Sequence, residues 1–512
     1  MNKKDNFSYY MNILKEAKDT LKMDIVIENH QEPIRNRVFN DKQNEEIRRL
    51  KVKKLITKIL LIILLAALFL KFFISSKSRS NLAKETKKNQ ISPQNESKNK
   101  IITIGFYDII HCDRKWRRIK KGYFYDLPKY TKKFRFVFLA KNGVDSTCNK
   151  FTHLTFRKAN NYENLEKAVI ENKIDLIVQN EDESLAQQNY LLKLKKKFSI
   201  KLVQIMHEYY FYFLVRTGSI NNYNIRWKPL KKFDAIISSV PCQIYMYHLQ
   251  SLNQSIYLPQ YLPFDYRSIE PSKLETKNIL MIGRISGEKQ YELGIKAMPI
   301  IIKKFPDAIL KIIGGFNSYT RSLKQLTQKL NVSNNVMFYD LQQDLRPFYS
   351  NASLYFMTSI AESFSFVLAE SKAYGLANIV TGKEYLVLTK KGSIVVKDND
   401  YEEMANEAIK LFSNVTYLRE QGKIARESLD DFLAEKVNLR YINLFESLMN
   451  GSSEQFFDSE YKKYINEADS LKDILNSLEL AKTIHRNKFH CLKFEDFLKP
   501  FETIHLSYCN KK

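Results

Sequence analysis

The sequence predicts an α/β protein of two doubly wound, Rossmann-like domains facing a cleft, preceded by one transmembrane helix. Three observations carry this. From residue 101 onward, short apolar runs alternate with amphipathic segments, and βα alternation of this kind implies parallel sheets covered by helices. The alternation comes in two series, with a break near residues 263–277. Residues 55–74, LITKILLIILLAALFLKFFI, form one 20-residue apolar stretch, the length needed to cross a hydrocarbon core about 30 Å thick.

Composition narrows the class. A chain of 512 residues has room for about two to four domains with large cores. Its 44% hydrophobic and 13% aromatic content is that of a globular protein rather than a disordered one. Of the formal charge of +26, residues 1–100 supply 22 lysines and arginines against 11 acids, a net of +11 in a fifth of the chain. The basic balance is therefore concentrated near the apolar stretch. No helix-turn-helix, zinc-finger or RRM signature accompanies it, so nucleic acid is not an expected partner; membrane proximity and a phosphate-bearing small ligand account for it more simply. The five cysteines, Cys112, Cys148, Cys242, Cys491 and Cys509, are scattered, odd in number and without zinc spacing. Buried free thiols are expected rather than a disulfide framework.

Taken in order, residues 1–54 are a basic polar tail. In 55–74, Lys58 and Lys71 lie close enough to the ends to snorkel to the interface. Some 50 residues precede the stretch, which argues against a cleavable signal peptide; the alternative to a membrane anchor is a buried helix of a soluble domain. Lys42, Arg48, Arg49, Lys51, Lys53 and Lys54 precede it and Lys77, Arg79, Lys84, Lys87 and Lys88 follow. The excess of one favours a cytoplasmic N-terminus, hence a single-pass type II protein with its globular part lumenal (Golgi or ER); a cytoplasmic-facing globular part is the alternative. Glycosylation sequons at Asn95, Asn253, Asn331, Asn351, Asn414 and Asn450 permit the first. Residues 75–100 read as a flexible stalk.

The first domain, 101–265, has expected strands at 101–107, 134–140, 174–180, 200–208, 233–239 and 255–262, with a helix over 161–172. The second, 278–450, has strands at 278–284, 308–315, 335–340, 353–359, 378–382 and 393–397, with helices at 288–305, 318–330, 365–375 and 401–413. Residues 455–512 are expected to be a helical extension without chemistry, helical over 459–486. In doubly wound sheets ligands bind outside the C-terminal strand ends, so the chemistry is expected there.

Two constellations lie at such ends. GRISGEK, Gly283 to Lys289, follows the strand NILMI and opens a helix. The glycine lets backbone approach a ligand, and Arg284 and Lys289 set two cations at the mouth of a strand-turn-helix, a combination suited to a diphosphate. In FMTSIAESFSFVLAESKAYGLAN, residues 356–378, Glu362 sits in the strand-to-helix turn and Glu370 about a turn and a half into the helix. Both could overlook a ligand whose phosphates rest on the helix N-terminus. A solvated acid pair on an ordinary surface helix is the competing interpretation of the spacing.

GRISGEKQYELGIKAMPIIIKKFPDAILKIIGG, then VMFYD, then FYSNASLYFMTSIAESFSFVLAESKAYGLANIV resembles the nucleotide-sugar half of family 4 retaining glycosyltransferases (glycosyl transferases group 1). The resemblance covers 278–430 and extends more thinly over 101–265. It implies the GT-B fold and an NDP-sugar-dependent hexosyltransferase with no essential metal or cofactor. Arg284 and Lys289 would hold the donor diphosphate and stabilise the leaving group. Glu362 would lie beside the transferred sugar, and Glu370 would take the ribose hydroxyls. Gly283, Phe364 and Ser365 would line the donor site through their backbone. His207, in LVQIMHEYY, matches the histidine that faces the reacting sugar; a structural histidine is the alternative. The acceptor would be a glycan or a lipid-linked molecule.

The chain departs from the family at several places. Ser365 stands for a glycine, Gly375–Leu376–Ala377 lacks a proline, TGKEYLVLTKKGS replaces a Gly-Gly loop, and Gly105 is the lone glycine of the first strand. These leave an inactive relative, a binding or scaffold subunit, as the rival to the enzyme. A basic membrane-surface or nucleic-acid binder is the third possibility. The sequence Asp398–Asn399–Asp400 spells a metal-binding DxD, but it precedes YEEMANEAIKLF, where Asp400 and Glu403 suit a capping box.

Overall fold

The computed structural model describes residues 101–108, 124–144, 148, 153–180, 184–207, 228–360, 362–382 and 386–485. The basic tail, the expected membrane helix 55–74, the stalk and residues 486–512 lie outside the described residues. Among the described residues no helix is long and apolar enough to cross a membrane.

Strands such as FRFVFLA and LIVQ are apolar along nearly their whole length because helices cover both faces of a parallel sheet. The first sheet comprises β1 (Ile102–Asp108), β2 (Phe134–Ala140), β3 (Thr155–Lys158), β4 (Leu176–Gln179), β5 (Lys201–Met206), β6 (Ala235–Ser238) and β7 (Ser255–Tyr257), ordered β3-β2-β1-β4-β5-β6-β7. The second comprises β8 (Asn278–Ile282), β9 (Ile309–Ile313), β10 (Val336–Tyr339), β11 (Leu354–Met357), β12 (Ala377–Thr381) and β13 (Ile394–Val396), ordered β10-β9-β8-β11-β12-β13. Every pairing is parallel. Two doubly wound α/β sheets of this kind define a GT-B-like fold.

Several boundaries differ from expectation for local reasons. The strand expected over 255–262 stops at Tyr257, two residues before Pro259, which has no N–H to give to a ladder. The helix expected from 288 starts at Tyr291 instead. Gly287–Lys289 form a 3₁₀ turn and Gln290 takes a left-handed conformation, φ 46°. The helix expected over 459–486 is two, Ser453–Tyr464 and Glu467–Ile484, the second capped by the Asn466 side chain, which accepts from the Asp469 N–H.

Helix Ala434–Asn450, grouped with the second domain in the sequence, packs on the first sheet instead. Its stripe Val437, Tyr441, Leu444, Phe445 and Leu448 joins the core built on Phe106, Phe136 and Phe138, a spacing of three and four that gives a helix one apolar face. The extension follows it. Arg440 lies 3.8 Å from the ring centroid of Tyr464 and donates to Glu460 and to the Tyr257 carbonyl. Tyr461 stacks on His248 at 4.0 Å. Residues 453–484 are thus built into the first domain.

The cysteines require a correction. Cys148 is disulfide-bonded, its partner lying outside the described residues, whereas Cys242 is a buried free thiol. Linear spacing does not reveal which distant cysteines meet, since bridging depends on Cα separations the fold sets.

Candidate active site

The second sheet changes direction between β8 and β11, its switch point, and both expected constellations leave from the C-terminal ends of those two strands. Gly283, φ 152°, ends β8 and donates its N–H to the Ile313 carbonyl at 3.0 Å. A Cβ on Gly314 would sit 2.0 Å from the Gly283 carbonyl oxygen, so two glycines at adjacent strand ends let the turns nest.

The loops after β8 and β11 are laced together. Lys289 forms an ion pair with Glu362. Ser359 Oγ donates to the same Glu362 oxygen at 2.9 Å, Thr358 Oγ1 donates to the Lys289 carbonyl at 2.7 Å, and the Ile360 N–H to the Glu288 carbonyl at 2.8 Å. Arg284 pairs with Glu288 on its own loop, with its side chain 68% exposed. Glu370 accepts from the hydroxyl of Tyr349 at 2.8 Å, and Tyr349 stacks on Tyr374 at 5.0 Å.

Two buried phenols show that these groups share one locality. Burial raises the pKa of Tyr291; Glu362 raises it further and Arg284 opposes. Burial likewise raises Tyr355, with Tyr291, Glu362 and Glu370 adding to the shift. Arg284, Lys289, Glu362 and Glu370 therefore gather about the switch point. Phe364 is buried, its ring edge-on to Phe366 and Phe432. Ser365 takes a left-handed conformation, φ 69°, and its side chain does not cap helix Phe366–Ala373, which leaves the first N–H groups uncapped from that side.

The first sheet has its own switch point, between β1 and β4. There Asn180 Nδ2 donates to Asp108 Oδ2 at 2.6 Å. His207, following β5, lies 2.8 Å through Nε2 from the Asn180 carbonyl and 3.1 Å from its Oδ1. Both are acceptors, so Nε2 carries the proton, and Nδ1 accepts from Gln260 Nε2 at 3.2 Å. Gln260, His207, Asn180 and Asp108 form a directional chain. Gly105 lies inside β1, and a Cβ there would meet Leu139 at 2.8 Å; its role is close packing. At the DxD sequence, Asp400 accepts the Glu403 N–H at 2.8 Å as a helix cap, while Glu403 accepts from Lys397 rather than completing the box.

Sequence reasoning did not find Tyr291, Tyr349, Tyr355, Asp108, Asn180 or Gln260. Asp108 and Asn180 close the runs IGFYD and LIVQN, so the rule that ligands meet C-terminal strand ends was the available signal for them. Nothing in spacing distinguishes the tyrosines from core residues.

The geometry is that of a two-sheet GT-B-like protein with polar clusters at both switch points. Within it, residues 264–428 match the family model for glycosyl transferases group 1. An uncharacterized glycosyltransferase from Haemophilus influenzae is 29% identical over 170 residues, 32% of this chain. The match spans 48% of that protein, so the chain aligns with about half of the relative's length. Sucrose-phosphate synthase from Thermosynechococcus elongatus superposes with a TM-score of 0.55 at 16% identity, covering 69% of this chain and 100% of that one. HepE from Anabaena in complex with UDP-glucose gives 0.53 at 15% identity, covering 68% and 100%. These two likenesses establish the fold.

Proposed function

We propose that the chain is a membrane-anchored retaining glycosyltransferase that moves a hexose from a nucleotide diphosphate sugar to a glycan or lipid-linked acceptor. The observation that carries this reading is the gathering of Arg284, Lys289 and Glu362 at the β8/β11 switch point, where a diphosphate would also meet the helix N-terminus after Ser365. The UDP-glucose bound by HepE is support by analogy.

The sugar C1–O bond to the β-phosphate breaks as charge develops on the departing diphosphate. Arg284 and Lys289 stabilise that charge, usually the largest catalytic term, so no metal is required of the protein. The acceptor oxygen bonds to C1 on the face the phosphate leaves, and its proton passes to the departing phosphate oxygen. Glu362 lies beside the sugar, Glu370 takes the ribose, and Gly283, Phe364 and Ser365 present backbone. His207, held by Asn180 and Gln260, offers its ring to the reacting sugar.

Residues 55–74 serve as the membrane anchor in this reading, between the tail 1–54 and the stalk 75–100. A disulfide at Cys148 supports a lumenal, oxidising location for the globular part. The test is incubation of the full chain with a panel of nucleotide sugars and candidate acceptors, with NMR of the product anomer. Transfer with the donor's anomeric configuration supports the reading. Binding without turnover of any donor would instead make the chain a non-catalytic relative.

A further inference from the structure

Tyr291 opens the helix that follows the Gly283–Lys289 turn, and only 2% of its surface is exposed. Its ring packs in the core of the second sheet. Among the described residues no hydrogen bond reaches its hydroxyl, although a buried phenol ordinarily finds a partner. The oxygen is directed to the candidate site: a Cβ built on Gly283 would lie 3.3 Å from the Tyr291 hydroxyl and 4.0 Å from Lys289 Cε. The bare Cα of Gly283 thus keeps open a space bordered by a phenol oxygen on one side and the lysine stem on the other. Glu362 and Arg284 both act electrostatically on the same phenol.

We infer that the Tyr291 hydroxyl is a third donor to the diphosphate of the ligand, beside Arg284 and Lys289, an inference that rests on the donor-site reading above. Burial raises the phenol above its ordinary value, so it keeps its proton at neutral pH and can only donate to an anion that offers acceptors alone. Its oxygen is not sealed off from solvent, so a ligand entering beside Gly283 and Lys289 can accept its hydrogen bond.

The experiment compares the full chain with Tyr291→Phe, which keeps the ring and removes the oxygen, titrating each with inorganic pyrophosphate and following thermal unfolding. The expected result is about ten- to a hundredfold weaker pyrophosphate binding, the loss of one hydrogen bond to a charged group, with a melting temperature no lower than the native one. Equal pyrophosphate affinity overturns the inference, including the case in which only a complete nucleotide sugar binds more weakly, since the hydroxyl would then serve the sugar. A lower melting temperature also overturns it, because it would reveal a structural partner. If the native chain binds neither pyrophosphate nor UDP, the donor-site reading falls together with it.

Discussion

Lys289 and Glu362 lie 73 residues apart in sequence and form an ion pair across the loops that leave β8 and β11. Without ligand, each side chain is the other's counter-ion, and a diphosphate entering here would compete with Glu362 for the ammonium. Lys289→Met should weaken nucleoside diphosphate binding about ten- to a hundredfold, the range for a hydrogen bond between charged groups. Calorimetric titration with UDP checks it. Glu362→Gln, which removes that competitor, should bind nucleoside diphosphate at least as tightly and lower turnover by about a hundredfold, because its charge is used in the transition state.

Arg284 is compensated in the same manner by Glu288. Removing that competitor takes one anion away from the guanidinium. Glu288→Gln is therefore expected to tighten nucleoside diphosphate binding by up to about fivefold, the weight of an exposed ion pair of roughly 1 kcal/mol. Weaker binding in the variant would mean that Glu288 positions Arg284 for the ligand rather than competing for it.

Gly314 and Gly315 offer a matched pair. An added methyl at Gly314 would meet the Gly283 carbonyl at 2.0 Å, whereas at Gly315 it meets nothing within 4 Å. Gly314→Ala should cost about 1–3 kcal/mol or more, as overpacking does, and disturb ligand binding by moving the Gly283 turn. Gly315→Ala should stay within about 0.5 kcal/mol. Urea unfolding of the two variants separates them.

Ser365 holds a left-handed conformation, φ 69°, at a cost of about 1–2 kcal/mol for a residue with a Cβ. Ser365→Gly should raise stability by roughly 1 kcal/mol without reducing donor binding. A rise in melting temperature with unchanged UDP affinity is the expected pair of observations.

Lys372 is fully buried in helix Phe366–Ala373 and donates to the Leu388 and Lys391 carbonyls and to Ser428 Oγ. Burial pulls its pKa down to about 7. Below that value the native lysine is charged and its desolvation cost is fully present. Between about 7 and the ordinary lysine range the native group loses its proton while the unfolded chain retains it, so stability contributed by this group rises with pH. The urea midpoint should climb across that window in the native chain and climb less in Lys372→Met.

The βα alternation revealed both sheets because parallel strands buried on two faces are apolar nearly throughout, as in NILMI and FRFVFLA. The glycine, cations and acids of the candidate site were legible for a related reason: ligands meet strand ends, and strand ends are where these runs stop. Boundaries failed where single residues overrode the pattern, as Pro259 did for β7 and left-handed Gln290 did for the helix beginning at Tyr291. The return of Ala434–Asn450 to the first sheet was not legible, because its apolar stripe records that it is buried and not against which layer. Tyr291 and Tyr349 were hidden likewise, since a phenol at helical spacing has the pattern of any core residue.

The central claim is that Arg284 and Lys289 together form a diphosphate site at the β8/β11 switch point. Calorimetric titration of the full chain with UDP, set against the double variant Arg284→Met with Lys289→Met, tests it most directly. Saturable binding by the native chain and its loss in the double variant, with unfolding temperatures within a few degrees, is the expected result. Equal affinity in both proteins, or no binding by the native chain to any nucleoside diphosphate tried, would contradict it.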